Sequence, residues 1–150
     1  MASALGSSLA HLRPCEELLV ALGHKFRDNR VVRSLCWHAG VSLGSRQPVS
    51  HRVARLADGG LLEVPLDDFM YRSVYFHGMY EPNVYRVIAD LAAPGQVWAD
   101  VGANVGQHTV RIARRVGPEG EVHAFEPNPV VGALLVRNSD LNGLGNVRIC

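Results

Sequence analysis

Residues 96 to 129, QVWADVGANVGQHTVRIARRVGPEGEVHAFEPNP, decide the fold of this chain. The stretch begins with a short apolar run at 97–99 that turn-forming residues bracket, which is typical of a buried parallel strand. Gly102 and Gly106 then allow the backbone to turn tightly and to start a helix without a Cβ in the way. A second short strand at 122–125 follows. The stretch therefore predicts a strand, a glycine turn, a helix and a second strand.

The helix between the two strands shows one apolar face at three- to four-residue spacing. The face is formed by Val105, Thr109, Ile112, Ala113 and Val116. The arginines 111, 114 and 115 are expected to lie largely off this face, and Gly117 with Pro118 ends the helix.

Glu126 follows the second strand, 20 residues after Gly106. Open α/β sheets place an acid that binds a ribose at this position. A carboxylate can accept hydrogen bonds from both ribose hydroxyls at once. Pro127 then turns the chain away, so the pattern predicts a nucleotide cofactor site at the ends of the two strands.

The glycine spacing indicates which nucleotide cofactor this is. A dinucleotide fingerprint has the form Gly-x-Gly-x-x-Gly, with the backbone against a pyrophosphate. Here Ala103 and Asn104 stand within the spacing Gly102-x-x-x-Gly106, and Asp100 precedes the turn. A diphosphate is repelled by Asp100, whereas a cofactor with a cationic amino acid portion is not. The residues therefore favour S-adenosylmethionine, which carries an ammonium, a sulfonium and a ribose, over a nicotinamide cofactor.

We expect the backbone amides of 102–104 to lie along the methionine portion of that cofactor. Asn104 is expected to hold its amino or carboxylate group, and Asp100 to act on the ammonium through water, with strand-end capping as the alternative role for Asp100. His108 is the only histidine close to this turn, and a packing role is favoured for it over catalysis. No catalytic residue is predicted, and no carboxylates or histidines fall at metal-ligand spacing around the turn.

Four pieces of sequence occur in a specific order: Tyr80-Glu81, Asp-Val-Gly-Ala-Asn-Val-Gly at 100–106, Phe-Glu-Pro-Asn-Pro at 125–129, and the asparagines 138, 142 and 146. This combination resembles the FkbM family of class I S-adenosylmethionine-dependent methyltransferases and covers roughly residues 58 to 150. The resemblance implies a Rossmann-like α/β fold with a doubly wound, mostly parallel sheet. It also implies O-methylation of a hydroxyl on a small molecule, natural product or sugar, and it adds Glu81 to the cofactor site. A favourable charge in a first helical turn is the alternative role for Glu81.

Two other classes of protein share parts of this pattern. An NAD(P)-dependent oxidoreductase has the same strand, glycine turn and distal acid, although the glycine spacing counts against it. A non-catalytic Rossmann-like interaction module would keep the fold without an acceptor pocket.

Composition bounds the remaining possibilities. The chain has 150 residues, 47% of them apolar, which is enough for a hydrophobic core. A net charge of +1 gives no electrostatic footprint for nucleic acid, so a small-molecule or sugar substrate is predicted. Since no membrane span or secretion signal is visible, we predict a cytoplasmic protein without membrane contact. The three cysteines lack the spacing of a disulfide framework or a zinc site.

The chain divides into three predicted segments. Residues 1–50 form a helical region with helices starting near Pro14 and Asn29, and covering the sheet, forming a lid and mediating homo-oligomerisation are all consistent with it. Residues 51–80 form a β-hairpin around Asp58-Gly59-Gly60 and a short helix that Asp67 or Asp68 caps.

Residues 81–150 form the third segment, with a helix that starts at Pro82 and has an apolar face of Val84, Val87, Ile88 and Leu91. A third strand is expected from Val147. A class I methyltransferase sheet has seven strands, so we interpret this segment as the truncated first half of a methyltransferase domain.

Overall fold

The computed structural model describes residues 14–32, 34, 35, 38 and 51–150. In chain order the elements are α1 (Pro14–Lys25), β1 (His51–Arg55), β2 (Leu61–Pro65), α2 (Phe69–His77), α3 (Pro82–Leu91), β3 (Val97–Val101), α4 (Gln107–Val116), β4 (Glu121–Phe125), α5 (Pro129–Leu141) and β5 (Val147–Ile149). The parts of the predicted helical region at residues 1–13, 33, 36, 37 and 39–50 lie outside the described residues. The segment boundaries at 50 and 80 stay predictions.

Strands β3, β4 and β5 form a parallel sheet in the order β3-β4-β5. The connections α4 and α5 both cover the same face, because Val122 packs with residues of α4 and Ala124 packs with Leu135 of α5. The opposite face is exposed over Val101, at 81% exposure, and Phe125, at 40%. This sheet with helical crossovers is the α/β arrangement that the sequence predicts.

The predicted hairpin is confirmed. β1 pairs antiparallel with β2, from His51 opposite Pro65 to Arg55 opposite Leu61. Gly59 has a φ of +89° in the connecting turn, a backbone conformation that favours glycine. Leu62 and Val64 of β2 are fully buried and share one core with Val105 and Val110 near the start of α4.

Two asparagines of α5 complete the outer edge of the hairpin. The side-chain amide of Asn138 accepts from the Glu63 N–H at 2.6 Å and donates to the Glu63 carbonyl at 3.0 Å. Asn142, one helical turn later, makes the same pair of bonds with Leu61 at 2.8 and 2.7 Å. Side-chain amides thus take the place of a neighbouring strand along β2, because every buried backbone donor and acceptor needs a partner. Asn146 instead donates to the carbonyls of Ala113 and Gly117 at the end of α4.

Helix α1 packs against α2 at very short range. A Cβ added to Gly23 would lie 2.1 Å from the carbonyl oxygen of Phe76, so only glycine allows this approach. Glu16 also forms an ion pair with Arg52 of β1 at 3.4 Å. Helix α1 therefore packs on α2 and the hairpin. Covering the parallel sheet and forming a lid over the substrate stay predictions. Homo-oligomerisation through the N-terminal helices stays a prediction.

The predicted helix caps are present in the structure. Asp68 caps α2 by accepting from the Met70 N–H, and Gly78 ends that helix in the left-handed conformation. Asn29 accepts from the N–H groups of Val31 and Val32, as expected of a residue that starts a helix. These caps are confirmed.

The predicted apolar face of α3 was wrong, and one arginine of α4 is buried without being part of the predicted apolar face. Arg111 is only 5% exposed, because its guanidinium lies 3.2 Å from Asp58 and stacks on the ring of Tyr85. The buried side of α3 contains Tyr85 and Ile88 and faces α4. The other predicted apolar positions of α3 are 40–59% exposed, and they are Val84, Val87 and Leu91.

Strand β3 continues one residue past Asp100, to Val101.

Within the described part of the chain, every helix is too short or too polar to cross a lipid bilayer.

Candidate functional site

The glycine turn lies directly against the carboxyl end of β4. The N–H groups of Gly102 and Ala103 both donate to the carbonyl oxygen of Phe125, at 2.9 and 3.0 Å. Since β3 and β4 are parallel neighbours, both strands deliver their C-terminal residues to this edge. This is the edge at which open α/β sheets bind ligands.

Three residues of the turn have positive φ, namely Gly102 at +80°, Asn104 at +51° and Gly106 at +93°. A Cβ on Gly106 would approach Leu135 Cδ1 to 2.7 Å, so packing also requires glycine there. A Cβ on Gly102 would meet no atom within 4 Å, so the backbone conformation alone explains that glycine. The exposed backbone at Gly102 is therefore accessible to a ligand.

The Glu126 side chain points back at the turn. Its Oε2 accepts the Asn104 N–H at 2.9 Å, and its Oε1 accepts the Asn128 N–H at 2.8 Å. Each carboxylate oxygen can accept a further hydrogen bond. Pro127, which follows, is exposed. The carboxylate is thus held in place by the backbone while it keeps acceptor capacity for a ligand.

Asn104 holds the turn together through its side chain. Its Oδ1 accepts from the Val105 N–H at 2.7 Å and from the Tyr71 hydroxyl at 2.9 Å. A left-handed asparagine that binds the backbone locally is a common solution in tight turns. The Oδ1 atom is therefore already engaged, which leaves the amide nitrogen to donate to a carboxylate group of the cofactor.

Tyr71 is a residue of the site that the sequence analysis missed. Burial raises the pKa of its hydroxyl, and the charges of Asp67, Asp68 and Glu126 add to that rise against the hydrogen bond to Asn104, which lowers the pKa. The hydroxyl therefore stays protonated and donating at neutral pH. Tyr71 lies in α2, 33 residues before Asn104, and no local pattern connects the two.

Asp100 and Ala103 occupy the inner side of the turn. Asp100 Oδ2 accepts a 2.5 Å hydrogen bond from the hydroxyl of Thr109, which is fully buried in α4. This bond fits the alternative capping role, but only one of the two carboxylate oxygens is used in it by the described residues. Ala103 is 5% exposed and packs with Ala124 and Leu135, so it contributes its backbone rather than its side chain to the surface.

Glu81 lies beside the first turn of α4. The side-chain amide of Gln107 accepts from the Tyr80 N–H at 2.8 Å and donates to the Tyr80 carbonyl at 3.1 Å. Glu81 itself has a φ of +55°, and its Oε2 lies 3.5 Å from Nε2 of His108. A residue other than glycine at positive φ is uncommon and marks a constrained position. The structure thus brings Glu81 to the same end of the sheet as the turn, in contact with His108.

Two cavities among the described residues are large enough for a small molecule. One, of about 710 Å³, lies at the amino ends of the strands, beside Val97 and Glu121. Ligands of open α/β sheets bind at the carboxyl ends, so this cavity is on the wrong side for the predicted chemistry. The other, of about 570 Å³, is lined by Tyr80 and Glu81. No group of three or more histidine, cysteine, aspartate or glutamate side chains suited to a metal ion occurs among the residues that the structure describes.

Comparisons with solved structures identify the fold. The chain is similar to TYW2 from M. jannaschii in complex with AdoMet, with 23% identity over 69% of this chain and 43% of that chain, and a TM-score of 0.54. It is similar to TYW2 from P. horikoshii in complex with MeSAdo, with 17% identity over 93% of this chain and 50% of that one, and a TM-score of 0.55. For a SAM-dependent O-methyltransferase from Thermotoga maritima the identity is 22%, the coverage 65% and 39%, and the TM-score 0.46.

The two TYW2 structures therefore show that the fold is the predicted one: α/β, with the Rossmann-like architecture of class I methyltransferases. The chain spans half or less of the length of each of these proteins. No protein-family model and no curated protein matches the sequence. The narrower resemblance to the FkbM family therefore stays a prediction.

Proposed function

We propose that this chain binds S-adenosylmethionine and forms part of a methyltransferase that acts on a hydroxyl of a small molecule or sugar. The observation that supports it best is the Glu126 carboxylate, which stands at the end of β4 and faces the glycine turn that follows β3. An acid in this place can accept from both hydroxyls of a ribose.

The residues around Glu126 suit the rest of that cofactor. Gly102 presents exposed backbone, and the amide nitrogen of Asn104 can donate to a carboxylate. Asp100 has one carboxylate oxygen beyond its bond to Thr109, and a negative charge here favours an ammonium and disfavours a diphosphate. Glu81 and the backbone at Ala103 and Pro127 complete the proposed set.

Methyl transfer from this cofactor depends mainly on holding the acceptor oxygen, the methyl carbon and the sulfur in line. The acceptor oxygen forms a bond to the methyl carbon while the carbon–sulfur bond breaks, the electron pair stays on sulfur, and the hydroxyl proton is released. A turn fixed by backbone hydrogen bonds to β4 can hold one reactant in a defined position, which supplies much of such a rate enhancement. No described residue is assigned as the base.

Calorimetric titration with S-adenosylmethionine and, separately, with NADH tests this proposal. We expect S-adenosylmethionine to bind with a dissociation constant in the range of about 1 μM to 1 mM that is usual for enzyme substrates, and NADH to bind at least tenfold more weakly. Tighter binding of NADH would instead indicate the oxidoreductase alternative. Binding of neither ligand would favour the non-catalytic module.

A further inference from the structure

The cavity of about 570 Å³ lies between the end of α1, α2 and the start of α3. Its volume falls within the roughly 300–1,000 Å³ typical of small-molecule sites. The residues that line the cavity include Arg27, Arg30 and Arg86 and the aromatic residues Phe69 and Tyr80, whose rings meet edge to face at 6.0 Å. Arginine and aromatic side chains together can bind an anionic group and a ring.

Ser73 adds a hydroxyl to the lining of the cavity. It lines the cavity with 9% of its surface exposed. A hydroxyl can both donate to and accept from a bound molecule.

The charges of the cavity favour an anion. Arg27 uses its Nε to donate to the His24 carbonyl at 3.1 Å, which leaves the rest of its guanidinium, while Arg30 and Arg86 are exposed. The acidic residues Asp28 and Glu81 also line the cavity, so three arginines face two acidic residues there. The Oε2 atom of Glu81 lies 3.5 Å from Nε2 of His108. The first turn of α3 adds the positive end of a helix to the same wall.

The cavity is physically joined to the glycine turn. The paired hydrogen bonds between Tyr80 and Gln107 attach its wall to the first residue of α4, immediately after Gly106. A molecule in the cavity and a cofactor at the turn would therefore be held in a fixed relation to each other.

We propose that this cavity is the acceptor pocket, and that the acceptor is a small hydroxyl compound that carries a phosphate ester and a ring. The phosphate binds Arg30 and Arg86, and the ring lies against Phe69 and Tyr80. The role of acceptor pocket depends on the proposed methyl transfer. The binding of organic phosphates in this cavity does not depend on it.

The test measures binding of phenyl phosphate, phenol and inorganic phosphate to the protein by calorimetry or NMR titration, with and without S-adenosylmethionine. We expect phenyl phosphate to bind at least tenfold more tightly than either fragment. The double variant Arg30→Ala/Arg86→Ala should lose at least tenfold of that affinity and keep its affinity for S-adenosylmethionine. Arg137→Ala is the matched control, since Arg137 lies on α5 outside this cavity and its loss should change neither affinity.

Each other outcome has a clear meaning. Equal affinity for phenyl phosphate and phenol, or no effect of the double variant, would overturn the phosphate site. A short RNA oligonucleotide that binds tenfold more tightly than phenyl phosphate, with a steep salt dependence, would overturn the choice of a small acceptor. The parent protein could also bind phenyl phosphate through Arg30 and Arg86 but fail to bind S-adenosylmethionine. That result would refute the methyltransferase proposal and support the phosphate site.

Discussion

The Glu126 carboxylate accepts the backbone N–H of Asn104 at 2.9 Å, so the end of one strand fixes the turn that follows its neighbour. Replacing Glu126 by alanine should weaken S-adenosylmethionine binding more than tenfold, or about 1.4 kcal/mol. Both the proposed ribose contacts and the support of the turn are lost. Calorimetry measures this change. Glu126→Gln keeps one acceptor oxygen, so its affinity should fall between those of the original protein and Glu126→Ala. Glu119→Ala, at an exposed position, should bind like the original protein. Unchanged binding in Glu126→Ala would refute the ribose role.

Gly106→Ala should destabilise the fold more than Gly102→Ala. Both changes impose a cost of about 1–2 kcal/mol for positive φ. Only alanine at 106 also meets Leu135, at 2.7 Å, and overpacking of this kind adds about 1–3 kcal/mol. Urea unfolding gives the two free energies of unfolding. Equal losses in the two variants would show that the packing of Leu135 adjusts without cost. In titrations with S-adenosylmethionine, Gly102→Ala should lose more affinity than Gly106→Ala in proportion to its loss of free energy of unfolding.

Asn138→Ala should lower the free energy of unfolding by about 3 kcal/mol, because it leaves one buried and two partly buried backbone groups without partners. The affected groups are the N–H and carbonyl of Glu63 and the carbonyl of Val105. Hydrogen exchange should show the Glu63 amide losing protection. Asn83→Ala, at an exposed position of α3, should stay within about 0.5 kcal/mol of the parent. A similar small effect at 138 would mean that water replaces the lost contacts.

Acidification should loosen the contact between α1 and α2. Burial lowers the pKa of His24 below the ordinary value of 6.5, while its Nε2 lies 3.3 Å from the Tyr75 carbonyl. Below pH 6.5 the unfolded chain therefore binds more protons than the folded one, and the free energy of unfolding rises as the pH increases toward 6.5.

The measurement that checks this is urea unfolding at several pH values between about 5 and 7.5. His24→Gln should reduce the slope, because glutamine does not titrate. Exposed His38→Gln serves as the control and should leave the slope as it is. An identical slope in all three proteins would contradict the role of His24.

The features that could be predicted from sequence are those that local patterns specify. Gly102 and Gly106 predict the turn because few other residues adopt its positive φ values. Asp58-Gly59-Gly60 likewise predicts the hairpin. The position of Glu126 follows from the spacing of one strand–turn–helix–strand unit.

The features that could not be predicted depend on partners far away in the chain. Arg111 is buried because Asp58 and Tyr85 happen to meet there, and a helical pattern contains no information on either. Tyr71 reaches Asn104 only through the packing of α2 beside the turn. In the sequence, Gly23 is only a residue of low helix propensity. The need for glycine arises from the carbonyl oxygen of Phe76, which lies too close for a Cβ.

The amides of Asn138 and Asn142 contact the backbone of β2 rather than its side chains, and this makes the two partners unequal in their tolerance of substitution. Positions 61 and 63 can exchange one side chain for another and still offer the same N–H and carbonyl groups, with proline as the exception because it lacks the N–H. On the helix, no other side chain of that length offers both a donor and an acceptor at the required spacing. A saturation library of this region should therefore show wide variation in the strand facing two nearly invariant asparagines.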